Sequence, residues 1–248
     1  MNKIKISFSS FTDCQGCYFE FLNLEKELLE LLNVAEVLDF KMIKQFNDNG
    51  NCDIAFVEGA ISTGEEIGRL KNIREKTKYL VALGTCACWG GVPKIVNNIR
   101  RPEKIIYKEP IKQKSIKVEP IEKYVKVNYN LRGCPFEKTE LVRILKDFMM
   151  KKQPKEKNMS VCIECKLREN ECLLEKNIPC MGPVSYAGCH ALCPSAGTPC
   201  DNCRGPVEDG NVEVFVKLLK KIKIKDEDIK RMFGRYAKGS EKFAEWLK

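Results

Sequence analysis

The sequence predicts an α/β chain: a doubly wound parallel sheet, followed by a cysteine-rich, loop-rich region with flanking helices. Three observations predict it. Short apolar runs, KIKISF (3–8), CDIAFVEG (52–59) and KYLVALG (78–84), alternate with stretches of helical periodicity, the pattern of strands joined by crossover helices. The second and third runs are mostly apolar, as strands covered on both faces are. Eight of the 14 cysteines fall within residues 162–203, among prolines and glycines that favour turns.

The elements follow in order. KIKISF alternates polar and apolar residues and reads as a strand. CQGC comes next, then YFEFLNLEKELLELLN (18–33), one helix with Leu24, Leu28, Leu31 and Leu32 on a single face. VAEVLDF (34–40) is a second strand and CDIAFVEG a third. STGEEIGRLKNIREKT (62–77) places Thr63 three residues before Glu66, the signature of a capped helix. KYLVALG is a buried strand. Residues 97–128 break the pattern with three prolines, nine Lys or Arg and four acidic residues, and read as a basic surface excursion, either solvated or touching a partner. KVNYNLRG leads into GCPFEK, FEKTELVRILKDFMMKK (136–152) is a helix, and KQPKEKN (152–158) is a linker. This sets a first domain over 1–152 and a second over 158–248. In the second, 208–224 and 227–248 are helices expected to pack back over the cysteine segment.

Composition bounds the function. At 44% hydrophobic and 31% charged the chain is an ordinary folded protein, and no apolar run reaches the length of a membrane span. The first residues, MNKIKISFSSFTDC, show no secretory h-region or cleavage site, so the expected location is the cytoplasm, where thiols stay reduced. There, 14 cysteines point to metal or clusters rather than disulfides, with zinc open for part of the set. The formal charge is +9. No nucleic-acid motif accompanies it, and the chain has one His. Three cubane clusters with their thiolates would lower the charge by about six, to roughly +3.

In a parallel sheet, ligands sit beyond the carboxyl ends of the strands. Cys14 and Cys17 follow the first strand, Cys86 and Cys88 follow KYLVALG in GTCACWGG, and Cys134 follows KVNYNLRG. Thiols thus gather at one sheet edge. Cys52 precedes its strand and reads as a small core residue. Cys-x2-Cys pairs let two ligands from one turn reach one cluster; they occur at Cys14/Cys17, Cys162/Cys165 and Cys200/Cys203. The second eight divide into two fours, which spacing alone does not assign. Two zinc ribbons would usually show two such knuckles per metal, so clusters are favoured.

CQGC after the first strand, VEGAI (57–61), GTCACWGG (84–91) and GCP (133–135), in that order, resemble the small, electron-transferring subunit of nickel–iron hydrogenases over nearly the whole chain. The resemblance implies a flavodoxin-like first domain with Cys14, Cys17, Cys86 and Cys134 holding a proximal 4Fe–4S cluster that faces the nickel–iron site of a separate large subunit. It implies a distal 4Fe–4S cluster on Cys162, Cys165, Cys172 and Cys180, where many relatives have His at the first position. A medial cluster falls to Cys189, Cys193, Cys200 and Cys203; relatives with a 3Fe–4S group have Pro where Cys193 stands, so a third 4Fe–4S cluster is expected. Glu58 matches an acidic residue that helps carry protons, or else is a hydrogen-bonding carboxylate at a strand end. Glu20 lies near a polar position of the family. Cys88 is the spare of its pair, and Trp89 either shields the proximal cluster or packs in the core. His190 is expected to hydrogen-bond beside a cluster. The resemblance is to the cytoplasmic, multi-subunit branch, whose further redox subunits carry flavin or iron–sulfur groups near the distal cluster. Electrons would pass between the large subunit and that partner. Two other readings stand beside it. The homologous subunit of the quinone-reducing respiratory complex typically shows an adjacent Cys-Cys pair and no eight-cysteine tail. A zinc-stapled scaffold would leave the first-half motifs without a role.

Overall fold

Four apolar runs and a short fifth form one parallel sheet. The computed structural model describes residues 3–40, 51–99, 102–106, 115–156 and 158–247. The chain divides into two compact units, Met1–Pro154 and Lys155–Lys248.

In the first unit, β1 (Ile4–Ser10), helices α1 (Gly16–Leu22) and α2 (Lys26–Val34), β2 (Ala35–Phe40), β3 (Cys52–Glu58), β4 (Ile61–Thr63), α3 (Gly64–Glu75), β5 (Thr77–Leu83) and α4 (Gly84–Trp89) follow one another. After a 3₁₀ turn at Val92–Asn98 come α5 (Glu103–Ile106), β6 (Ser115–Glu119), β7 (Tyr129–Leu131) and α6 (Lys138–Met149). The main sheet has the order β2-β1-β3-β5-β7, every pair parallel. Counted along the sheet this is the 2-1-3-4-5 order of flavodoxin-like folds, which places the switch point between β1 and β3. The expected doubly wound α/β fold is present.

Side-chain alternation decides both faces. One row of register runs Phe40–Phe8–Phe56–Val81–Tyr129 across all five strands. It is covered by Tyr18, Phe21, Leu31, Leu141, Ile144 and Phe148 of α1, α2 and α6. Val57, Leu80 and Ala82 point the other way, against Leu70 of α3 and Ala87 of α4. The α3 cap forms as its sequence predicts: Thr63 Oγ1 accepts from Glu66 N at 3.2 Å, and Glu66 Oε2 accepts from Thr63 N at 3.0 Å. Thr63→Ala should therefore cost about 1 kcal/mol, read as a lower denaturant midpoint at unchanged slope.

Two expectations change. The helix read over 18–33 is two helices, with Glu25 at φ +51° between them. The turn drops Leu24 into the core at 2% exposure, while Leu32 stays 40% exposed. The excursion at 97–128 is tied to the body in its described part. β6 pairs antiparallel with β4, Asn97 bonds both the N–H and the carbonyl of Val118 at 2.8 and 2.9 Å, and Lys94 pairs with Glu119. Residues 100–101 and 107–114 lie outside the described residues.

In the second unit, the cysteine segment carries α7 (Val161–Leu167) and α8 (Leu192–Ser195). Its loops are joined by short bridges, Ser160 to Tyr186 and Ser185 to Pro206. α9 (Val212–Lys221), α10 (Asp226–Arg235) and α11 (Glu241–Ala244) complete the unit. Phe233 joins them, meeting Phe215 edge to face and Phe243 at a tilt. Arg235 pairs with Asp201 at 2.7 Å, and Lys242 Nζ donates to the carbonyl of Val207 at 2.8 Å, so these helices do pack back on the cysteine segment. The helix read over 227–248 breaks before Ser240, whose hydroxyl accepts from Lys242 N and starts α11.

Candidate functional site

The first site lies beyond the carboxyl edge of the sheet. The last row of register there is Ser10–Glu58–Leu83–Leu131, and a cysteine-bearing loop leaves three of those four strands. After β1, the Asp13 carboxylate accepts from Gln15 N at 2.6 Å and Ser10 Oγ at 2.9 Å. This folds Cys14 and Cys17 around the start of α1, with Gln15 at φ +59°. After β5 the chain turns through Gly84, at φ +80°, and Cys86 follows in α4. A Cβ at Gly84 would stand 2.3 Å from Cys17 Sγ, so only glycine lets the two loops close on each other. After β7 comes Arg132-Gly133-Cys134, with a cis Cys134–Pro135 bond. Thr85 N donates to Gly133 O at 2.8 Å and ties this loop to α4.

Cys14, Cys86 and Cys134 line one cavity of about 700 Å³, whose outer wall is Val92, Pro93, Val96, Ile116 and Val118. Cys17 joins them electrostatically. Burial pushes its thiol far up, and Glu58, Cys86 and Cys134 push it further. Burial, Cys134 and Cys14 push Cys86 up to about 12. Burial and Cys14 push Cys134 up as well, and buried thiols of this kind need a cationic group beside them to become thiolates. Glu58 stands on the α1 side of the last row, 1% exposed, facing the Cys17 thiol and the backbone of Cys17 and Tyr18. Burial and the charge of Asp13 push it up to about 8.

In the second unit, α7 carries Cys162 and Cys165. These line a cavity of about 90 Å³ with Cys172, Cys180 and Gly182. A Cβ at Gly182 would lie 3.1 Å from Cys162 Sγ. Burial, then Cys180, Cys165 and Cys172, push Cys162 up to about 12. Asn170 Nδ2 donates to Cys165 Sγ at 3.5 Å, and Cys200 N donates to Cys180 Sγ at 3.2 Å.

The last four cysteines are placed differently. Cys200 feels the charge of Cys203 and hydrogen-bonds Ser185. Cys189 sits between Glu164, which raises it, and Arg204, which lowers it. Cys193 is exposed on α8. Among the described residues, no group of three or more His, Cys, Asp or Glu is close enough to hold a single metal ion. One tetrahedral zinc would draw four sulfurs to within about 3.8 Å of one another; here Cys14, Cys86 and Cys134 line one cavity, and Cys162, Cys165, Cys172 and Cys180 another.

The remaining candidates resolve as follows. Glu20 pairs with Lys138 at 3.7 Å, an ion pair at a partly exposed site. Cys88 is 2% exposed in the core beneath α4. Trp89 packs against the same core, with Arg132 over its ring at 5.6 Å. Cys52 is buried and donates to the carbonyl of Ile54 at 3.1 Å. His190 is exposed, at φ +56°. Sequence reasoning missed Asp13, Glu164 and Arg204. Asp13 had a signal in its place directly before CQGC; the other two had none.

Residues 14–148 match the family described as NADH ubiquinone oxidoreductase, 20 Kd subunit. Sulfhydrogenase 2 subunit delta of Pyrococcus furiosus is 39% identical over 239 residues, covering 95% of this chain and 100% of its own. The crystal structure of the NAD+-reducing [NiFe]-hydrogenase in the H2-reduced state contains a chain that matches with a TM-score of 0.57 at 27% identity. That match covers 62% of this chain and 95% of the other. The Ni-Fe-Se hydrogenase from Desulfomicrobium baculatum, at 15% identity and a TM-score of 0.58, shares the fold over 84% of this chain and 96% of its own. Fold and thiol placement together define the class, a small subunit of the nickel–iron hydrogenases and hence one component of an oxidoreductase. The chain belongs to the NADH ubiquinone oxidoreductase 20 Kd subunit family, among its hydrogenase members. The family match spans residues 14–148, while the sulfhydrogenase likeness also takes in the cysteine tail. Among the described residues no helix is long and apolar enough to cross a membrane.

Proposed function

We propose that this chain is the electron-relay subunit of a cytoplasmic nickel–iron hydrogenase, working between the nickel–iron site of a large subunit and a further flavin or iron–sulfur subunit. Cys14, Cys17, Cys86 and Cys134 would hold one 4Fe–4S cluster. Cys162, Cys165, Cys172 and Cys180 would hold a second, and Cys189, Cys193, Cys200 and Cys203 a third. Bound there, such clusters supply one-electron carriers whose potentials follow net charge, hydrogen bonding and burial. The observation that carries this reading is the convergence of thiols from three strand ends: Cys14, Cys86 and Cys134 line one cavity, and Cys17 Sγ lies against the Gly84 turn. Glycines at 84 and 182 keep Cβ atoms away from the sulfurs. Val92, Val96, Ile116 and Val118 give the first site an apolar lining, and Asn170 Nδ2 donates to Cys165 Sγ. Glu58, buried beside Cys17, is assigned to hold and pass a proton at its carboxyl.

Anaerobic purification with the co-purifying large subunit tests this. About twelve irons and twelve acid-labile sulfides per copy of this chain, with nickel in the partner, are the expected result. The same iron without nickel would keep the relay and move the catalysis elsewhere. Stoichiometric zinc with little iron would replace the relay by a scaffold.

A further inference from the structure

Among the described residues, Arg204 is the largest fully buried side chain, at 2% exposure. A guanidinium leaves water at a high cost unless hydrogen bonds and a negative charge compensate it. Its Nε donates to the Ala187 carbonyl at 2.8 Å, and its guanidinium carbon lies 5.7 Å from the centre of the Tyr186 ring. Its head lies over Gly188, at φ +110°, so closely that a Cβ there would stand 2.7 Å from a terminal nitrogen. The side chain therefore runs along residues 186–188 and brings its charge to the next residue, Cys189, whose sulfur feels it. On the other side of the same loop, Glu164 of α7 accepts from Gly188 N at 2.9 Å and Ala191 N at 3.2 Å. Glu164 Oε2 also lies 4.0 Å from Cys189 Sγ, so a carboxylate and a guanidinium act on that sulfur with opposite charges.

We propose that Arg204 is a positioning residue that sets the reduction potential of the iron–sulfur group held by Cys189, as a fixed buried cation beside that ligand. The proposal rests on the reading of Cys189 as a cluster ligand. Reduction adds one negative charge to the group, and a fixed positive charge in a poorly solvated place favours that state. The electron comes from the hydrogenase reaction itself, and no bond to Arg204 forms or breaks.

The test is an EPR-monitored redox titration of the anaerobically purified complex, with iron counted for each variant. Arg204→Gln should move the midpoint of one cluster to more negative potential and leave the others in place. The cluster that moves should be the one whose signal Cys189→Ser alters. Arg204→Lys keeps the charge and should restore most of the shift. Full iron with unmoved potentials in Arg204→Gln would overturn the proposal, as would equal shifts in the Gln and Lys variants, which would make shape rather than charge the cause. Loss of the cluster in Arg204→Gln would make the residue a structural clamp and also overturn it. The ligand reading fails separately: Cys189→Ser would then leave every signal intact, whatever Arg204→Gln does.

Discussion

Gly84→Ala should strip the first thiol site of its iron while leaving the second unit loaded. The residue sits at φ +80° where β5 turns into α4, and a left-handed backbone costs an alanine about 1–2 kcal/mol. The steric term is larger in consequence. The new Cβ would stand 2.3 Å from Cys17 Sγ and 3.5 Å from the Gly133 carbonyl. Cys17 cannot yield cheaply, because its sulfur is only two bonds from the backbone of α1, and α1 is pinned through Tyr18 and Phe21 in the core. Relief means turning the sulfur away from Cys86 and Cys134. Strain and overpacking together should destabilise the first unit by about 2–4 kcal/mol. Iron should fall by about a third, the share of one cluster in three. Gly68→Ala is the control. Gly68 lies within α3 with open space at its Cβ position, and alanine there should stabilise by about 0.5–1 kcal/mol with iron unchanged. Full iron in Gly84→Ala would refute the convergence of Cys17 with its neighbours.

The sheet was legible because burial on both faces leaves an apolar run that no surface element imitates, as in Cys52–Glu58 and Thr77–Leu83. The thiol edge followed from one rule about parallel sheets applied to Cys14, Cys86 and Cys134. The break between α1 and α2 was not legible. Leu24, Leu28 and Leu31 keep helical spacing through it, and Glu25 carries no mark of a positive φ, which a glycine or asparagine would have given. The anchoring of 92–119 was hidden for another reason. It depends on Asn97 reaching Val118 and on Lys94 reaching Glu119, contacts between residues more than twenty apart that no local pattern encodes. Arg204 shows the same limit at the candidate site. Among 43 Lys and Arg, nothing in composition or spacing says which one is buried; only the folded loop at Tyr186–Cys189 does. The spacing of the last eight cysteines allowed several divisions; that Cys162, Cys165, Cys172 and Cys180 line one cavity is a fact of the folded loops that spacing does not carry.

Cys86→Ala and Cys88→Ala, two residues apart in α4, should part completely. A helix turns about 100° per residue, so positions i and i+2 face nearly opposite ways. Cys86 takes the side of the cavity with Cys14 and Cys134. Cys88 takes the side of the sheet, among Leu70, Leu80, Ala82 and Ile121, with its sulfur 3.8 Å from the Ala82 carbonyl and 3.9 Å from that of Leu131. On the proposed ligand set, Cys86→Ala takes away one of four donors and should lose about a third of the iron. Its thermal stability in the metal-free state should hardly change, because the side chain is only half-buried and its removal opens onto an existing cavity. Removing the Cys88 sulfur leaves a small void in a packed core and should cost about 1–2 kcal/mol of stability, with iron and sulfide retained in full. The two variants thus separate ligation from packing by opposite readouts: iron content for one, unfolding midpoint for the other. If Cys88→Ala loses the iron and Cys86→Ala keeps it, α4 must rotate by about half a turn when the group binds, and the first ligand set must be redrawn around Cys88.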